Sequence, residues 1–256
     1  MKITIDELLK GKATKIKDKA FFPTRAYCEP FLEKMSKFTS DFRVEVQLPD
    51  QVTRTVEGDI NMDDITYNRV LIQAVMPDTW DNHEEVVGMV YGLDTKPVVK
   101  FYKGGLNMAC TNLCIFSPQF LNVQELEPET GIDYRPVINL MEQTSDLKVW
   151  IQNLKSTNWD RDKELIERNL GKWTINALHH QYDNGFTKAK VGAPLVLSAY
   201  KDLFEDEKSP YYVHEHEAVN MFKVYNAFTD LITNDKGKDI INKCEKTLLL
   251  RQILDL

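Results

Sequence analysis

The texture of this 256-residue chain changes once, near its middle, and that change constrains the fold more than any single residue. From Phe42 to Phe116 the apolar residues come in short runs suited to strands. Phe42-Arg43-Val44-Glu45-Val46-Gln47-Leu48 alternates as a half-buried strand does, because successive strand side chains point to opposite faces. Asn68–Met76 favours β structure and is expected to end at Pro77, which has no N–H for a ladder. Val86–Tyr91 and Val98–Tyr102 are two further strands, with residues 92–97 turning between them. Leu106–Phe116 is mostly apolar and fits a buried strand or a buried helix.

Beyond Pro136 the period lengthens. Val137, Leu140, Met141, Leu147, Trp150, Ile151 and Leu154 form one apolar stripe at helical spacing. Asp160 suits an N-cap for a helix that carries Leu165, Ile166, Leu170, Trp173, Ala177 and Leu178 on one face. Further helices are expected at Pro194–Phe204, about Glu215–Ile232 and about Lys238–Leu254, and a short one opening at Pro30 with Phe31, Met35 and Phe38. The apolar end Leu248–Leu256 reads as a packed helix or an oligomer contact. The expectation is an α+β protein with an antiparallel β-rich half (42–116) and a helical half (137–256). These make one domain, 28–256, preceded by a basic arm, 1–27.

The chain is long enough to bury a core without staples, and hydrophobic residues make up 43% of it, so disorder does not dominate. No apolar run approaches the about 18 residues of a membrane span, and the charged start lacks a signal-peptide core. A cytoplasmic protein with free, buried cysteines is expected.

The net charge of −7 is unevenly placed. Residues 1–43 carry ten Lys/Arg and six Asp/Glu, a net of +4, and the rest carries −11. Residues 10–25 hold six positive charges and one negative, with no helical period, as an extended or mobile arm would.

Signals for chemistry are weak. Lys103-Gly104-Gly105 lacks the endings of phosphate-binding loops and reads as a turn. His214-Glu215-His216-Glu217 could hold a metal on a strand, but at a helix start it reads as a solvated capping segment. Cys110 and Cys114 lack two further ligands nearby, and no nucleophile motif occurs. No cofactor and no catalytic residue is expected.

Three segments mix cations with aromatic rings, as single-strand binders do when ammonium groups follow phosphates and rings stack on bases. The first is the arm, with Lys12, Lys15, Lys17, Lys19, Phe21, Phe22, Arg25 and Tyr27. The second is the strand with Lys96, Lys100, Phe101, Tyr102 and Lys103. The third is the loop with Phe186, Lys188 and Lys190. The bland reading is that Phe21 and Phe22 staple the arm to the core, and that Lys100 and Lys103 mark a solvated edge.

Leu106–Phe116, with its Cys110-Thr111-Asn112, resembles a signature of phage and plasmid proteins known as domain-of-unknown-function family 932. Asn226-Ala227-Phe228-Thr229-Asp230 is similar to that family's Asn-Ala-x-Thr-Glu helix. Leu113 stands where that family usually has glycine. In size, acidity and two-part layout the chain also resembles the single-stranded-DNA-binding RNA polymerase cofactors of lytic podophages. That resemblance implies a fold other than an OB barrel, single-stranded DNA and a phage-encoded RNA polymerase as partners, and a place in the host cytoplasm. A homo-oligomer is also allowed for. The rival expectation is a host-takeover or anti-defence factor that binds a bacterial protein and no DNA.

Overall fold

The structure is a computed structural model. It describes residues 1–11, 14–16, 20–22, 24–47, 67, 69–92, 98–108, 113–115, 121–125, 131–142, 147–159, 192–234 and 240–253. Among these the architecture is α+β, strands first and helices after, as the change of texture implies.

Strand β1 (Lys2–Ile3) is followed by helix α1 (Ile5–Lys10), strands β2 (Thr14–Ile16) and β3 (Ala20–Phe22), and helix α2 (Thr24–Met35). Next come β4 (Asp41–Gln47), β5 (Arg69–Trp80), β6 (His83–Gly92), β7 (Val98–Asn107), β8 (Leu113–Ile115) and β9 (Leu121–Glu125). The helical half contains α3 (Arg135–Glu142), α4 (Leu147–Ser156), α5 (Ala193–Phe204), α6 (Met221–Asn234) and α7 (Ile240–Ile253). A small ladder pairs β10 (Asn158–Trp159) with β11 (Val219–Asn220). The main sheet is antiparallel and seven-stranded, in the order β1-β4-β5-β6-β7-β8, with β9 beside the other half of β7.

Period-2 alternation gives this sheet two faces. On one, Val70, Ile72, Met89, Tyr91 and Phe101 are buried under Leu8 of α1, Phe31 and Met35 of α2, and Val137 and Leu140 of α3. On the other, Leu71, Val75, Val90, Tyr102 and Leu106 lie under Ile240, Cys244 and Leu248 of α7. A third core joins α4, α5 and α6 through Trp150, Ile151, Leu203, Val224 and Phe228, and takes in Leu249 and Leu250 of α7. The stripe from Val137 to Leu154 is therefore divided. Its first part packs on the sheet and its second in the helical core.

Several expectations are corrected. Residues 1–27 are not a separate arm, because Leu8 and Tyr27 are buried in the sheet's core. Thr4 and Glu7 close a capping box at the start of α1, and residues 14–16 and 20–22 pair as a hairpin. Pro30 does not open a helix but lies inside α2, which begins at Thr24. The carbonyl of Ala26 that it leaves without a helical donor belongs to an exposed residue, open to water. Nor does Pro77 end β5. It falls at a register shift between Val75 and Thr79, where the ladder is already interrupted.

Leu106–Phe116 is not one element. β7 ends at Asn107, and β8 returns antiparallel beside Gly104–Leu106. Gly104 and Gly105 form no turn but lie inside β7. A Cβ on Gly105 would stand 2.9 Å from Leu147 Cδ1, so the bare backbone there admits α4. Helix α6 starts at Met221, where the Asn220 side chain accepts the N–H of Lys223 at 2.9 Å. The helix expected from Asp160 lies outside the described residues.

The β5–β6 hairpin turns through Asp81 and Asn82, both at positive φ (50° and 61°), in a two-residue loop that suits the strand twist. Its tip meets the helical half. Lys155 of α4 pairs with Asp81, Lys148 lies 4.6 Å from the Trp80 ring centroid, and the His83 ring meets Phe222 edge-on at 5.6 Å.

Candidate nucleic-acid interface

The three basic and aromatic segments have different fates. In the first, β2 and β3 pair with each other and, among the described residues, with no strand of the main sheet. Its register sets Lys15 opposite Phe21 and Thr14 opposite Phe22. Lys12, Lys17 and Lys19 lie outside the described residues. Arg25 lies in the first turn of α2, exposed but held by a two-pronged bond to Glu29, at 2.9 Å from Nη2 and 3.2 Å from Nε. That bond pulls the Glu29 carboxyl below its usual value. Tyr27 is buried against Tyr91, edge to face at 6.1 Å.

The second segment is core rather than interface. Phe101 and Tyr102 are fully buried, so no base can stack on them. Lys103 is buried with Glu85, Nζ to Oε1 2.9 Å. Lys100 pairs with Glu245 of α7. β7 is an inner strand with β6 on one side and β8 and β9 on the other, so its lysines do not mark a solvated edge. Lys96 lies outside the described residues, as do Phe186, Lys188 and Lys190 of the third segment.

Among the described residues no group of three or more His, Cys, Asp or Glu side chains could hold a metal ion. His214, Glu215 and His216 are exposed in the turn before β11. Glu217 is bound to Lys223 at 2.6 Å, and that bond lowers its pKa. Cys28 and Cys244 are buried thiols that form no disulfide, and burial pushes the Cys28 thiol up to about 12, far from a reactive thiolate. No helix among the described residues is long and apolar enough to cross a membrane.

Residue types gave no hint of one further feature. Lys2 of β1, Arg43 and Glu45 of β4, and Gln73 of β5 line an open trough beside α7, with two lobes of about 220 and 280 Å³. Compared with family models, with curated proteins and with solved structures, the chain matches none.

Proposed function

We propose that this protein binds single-stranded DNA through the basic segment of residues 12–25, whose described part includes the β2–β3 hairpin. One observation carries the reading. Within the most basic stretch of the chain, residues 14–16 and 20–22 pair as a two-stranded ribbon with Lys15 opposite Phe21, and neither strand belongs to the main sheet. A segment whose sequence mixes lysines with two phenylalanines offers phosphate contacts and stacking together, each stacked base contributing about 1–3 kcal/mol. The acidic remainder, net −11 over residues 44–256, disfavours a broad electrostatic coat and confines binding to the ribbon. The strand from Lys100 to Lys103 has no part in this proposal. In the phage setting that the resemblance implies, the bound strand would be melted promoter or replicating DNA, with a phage RNA polymerase as protein partner.

The test is fluorescence anisotropy with labelled single-stranded and duplex oligonucleotides over a salt series. Tighter single-strand binding, falling on a log–log line with slope about −0.7 per phosphate neutralised, is expected. Absence of binding at low salt refutes the proposal.

A second reading has its own observation. Trp80 and Met108 are exposed at the β5–β6 tip, where the Met108 N–H donates to the Asn82 carbonyl at 2.8 Å. Exposed apolar groups on an acidic body suit a protein partner, as a host-takeover factor would need. Retention of one host protein from nuclease-treated lysate, with no DNA affinity in the pure chain, favours it.

A further inference from the structure

The trough beside α7 is built by strand alternation. Val44 and Val46 of β4 are buried on the α2 side of the sheet, so Arg43 and Glu45 emerge on the α7 side. In register, Glu45 stands opposite both Lys2 and Leu71, and Arg43 opposite Gln73. Helix α7 covers the inner strands over Leu71, Val90 and Tyr102. The outer strands are left open to the trough, whose far wall includes Thr233, Ile240 and Lys243.

Several lining groups are already engaged. Arg43 is bound to Glu84, and Lys243 Nζ donates to the Thr233 carbonyl at the end of α6, at 2.8 Å. Gln73, only 8% exposed, gives its amide N–H to the Tyr102 hydroxyl at 3.0 Å. That leaves Gln73 Oε1 as an acceptor with no hydrogen bond among the described residues, on a side chain held in place at the trough floor. The side chains of Glu45 and Lys2 likewise make no hydrogen bond or ion pair among the described residues.

On the sheet floor the open groups are thus two acceptors set diagonally across β4 and β5, Glu45 and Gln73 Oε1, and one cation, Lys2, with Thr233 and Asn234 on the wall. Leu71, Leu106 and Ile240 supply apolar surface. With Arg43 set against Glu84, Lys2 and Lys243 outnumber the Glu45 carboxylate by one in the two lobes, so a ligand of net negative charge is favoured over a zwitterion. The larger lobe is close to the lower end of the about 300–1,000 Å³ range of small-molecule sites, and the two lobes share Lys2, Glu45, Gln73, Leu106 and Thr233, so a single nucleotide is the largest ligand the trough suits. Two such acceptors repel base edges that present an acceptor beside their amino group and welcome one that presents adjacent N–H donors.

We propose that the trough binds a guanine nucleotide, its N–H edge on Glu45 and Gln73 and its phosphate on Lys2. The chemistry is the same for a free nucleotide and for one guanine of a strand. The inference does not rest on the hairpin reading, since none of its residues belongs to the hairpin.

Isothermal titration of the full chain with GMP, AMP, CMP and UMP tests it. GMP alone should bind, and Glu45→Gln should weaken it by about tenfold or more, the loss of one charge-assisted contact. Lys2→Ala should weaken GMP but leave guanosine unchanged. A thymidine oligonucleotide carrying one guanine, compared with one carrying none, separates the sources. Tighter binding than GMP assigns a strand base, and binding of GMP alone assigns a free nucleotide. Replacing Lys12, Lys15, Lys17 and Lys19 by Gln should leave GMP binding intact, which separates this outcome from failure of the hairpin. The proposal is overturned by no GMP binding, by equal binding of the other nucleotides, or by a Glu45→Gln variant with unchanged melting temperature and unchanged affinity.

Discussion

Tyr102 on β7 reaches across Gly88 of the neighbouring strand to the side chain of Gln73 on the strand beyond, 3.0 Å from hydroxyl to amide nitrogen. The ring occupies the space that a side chain at 88 would fill, and a Cβ there would stand 2.1 Å from Tyr102 Cζ. One glycine thus lets a tyrosine lie flat on the sheet under α7 and fix the Gln73 amide.

Gly88→Ala must therefore expel the ring or shift the strands. The expected cost is about 1–3 kcal/mol of stability, typical of overpacking. Urea unfolding reads it. The same variant should lose GMP affinity, because Gln73 loses the hydroxyl that orients it. Tyr102→Phe keeps the packing and removes only the hydroxyl, so it should weaken GMP binding with a smaller loss of stability.

Lys103 and Glu85 make a buried pair on the opposite face. Lys103→Ala leaves a carboxylate buried without its cation and should cost about 3–5 kcal/mol. Glu85→Leu combined with Lys103→Met should recover most of that loss. Equal destabilisation by the single and double variants would show that shape, not charge, is what these positions supply.

His83 sets an acid limit on stability. It is buried, its Nδ1 bonds the Asp81 carbonyl at 2.8 Å, and Lys155 stands close by. Burial, aided by the Lys155 charge, lowers its pKa from 6.5, while the carbonyl and the charge of Asp81 oppose the shift. The folded state therefore binds this proton less readily than the unfolded chain does. Stability should be full above 6.5 and fall as pH drops from there through the lowered folded value. His83→Gln should flatten that slope in unfolding curves. Glu7, Glu29 and Glu217, all lowered from 4.5 chiefly by hydrogen bonds, lose their contribution only at still lower pH.

For the hairpin, charge and rings should separate. Replacing Lys12, Lys15, Lys17 and Lys19 by Gln should shrink the salt slope of single-strand binding. Phe21→Ala with Phe22→Ala should lower affinity by about 1–3 kcal/mol per lost stack and leave the slope unchanged. Anisotropy at two salt concentrations distinguishes the two effects.

The strands around Phe42–Leu48, Val86–Tyr91 and Val98–Tyr102 were legible in the sequence, because alternation is a local signal. The helices beyond Ala193 were legible too, although Asn220, the cap that starts α6, was missed inside a run read as helix. The lysines and aromatics of β7 misled because residue type does not tell an inner strand from an outer one. The ion partner of Lys100 lies 145 residues away. The trough left no trace in any one segment, since Lys2, Glu45 and Gln73 converge from three strands by register alone.

Helix α7 belongs to two cores at once. Ile240, Cys244 and Leu248 seal the sheet, while Leu249 and Leu250 enter the helical core. On a ribosome the sheet would emerge long before this helix, with Leu71, Val90 and Tyr102 uncovered until residues 240–253 follow. The nascent chain would therefore expose the apolar part of that sheet face until α7 follows, and a chaperone that recognises exposed β surface would find its substrate there. Docking of α7 would then complete the two cores together.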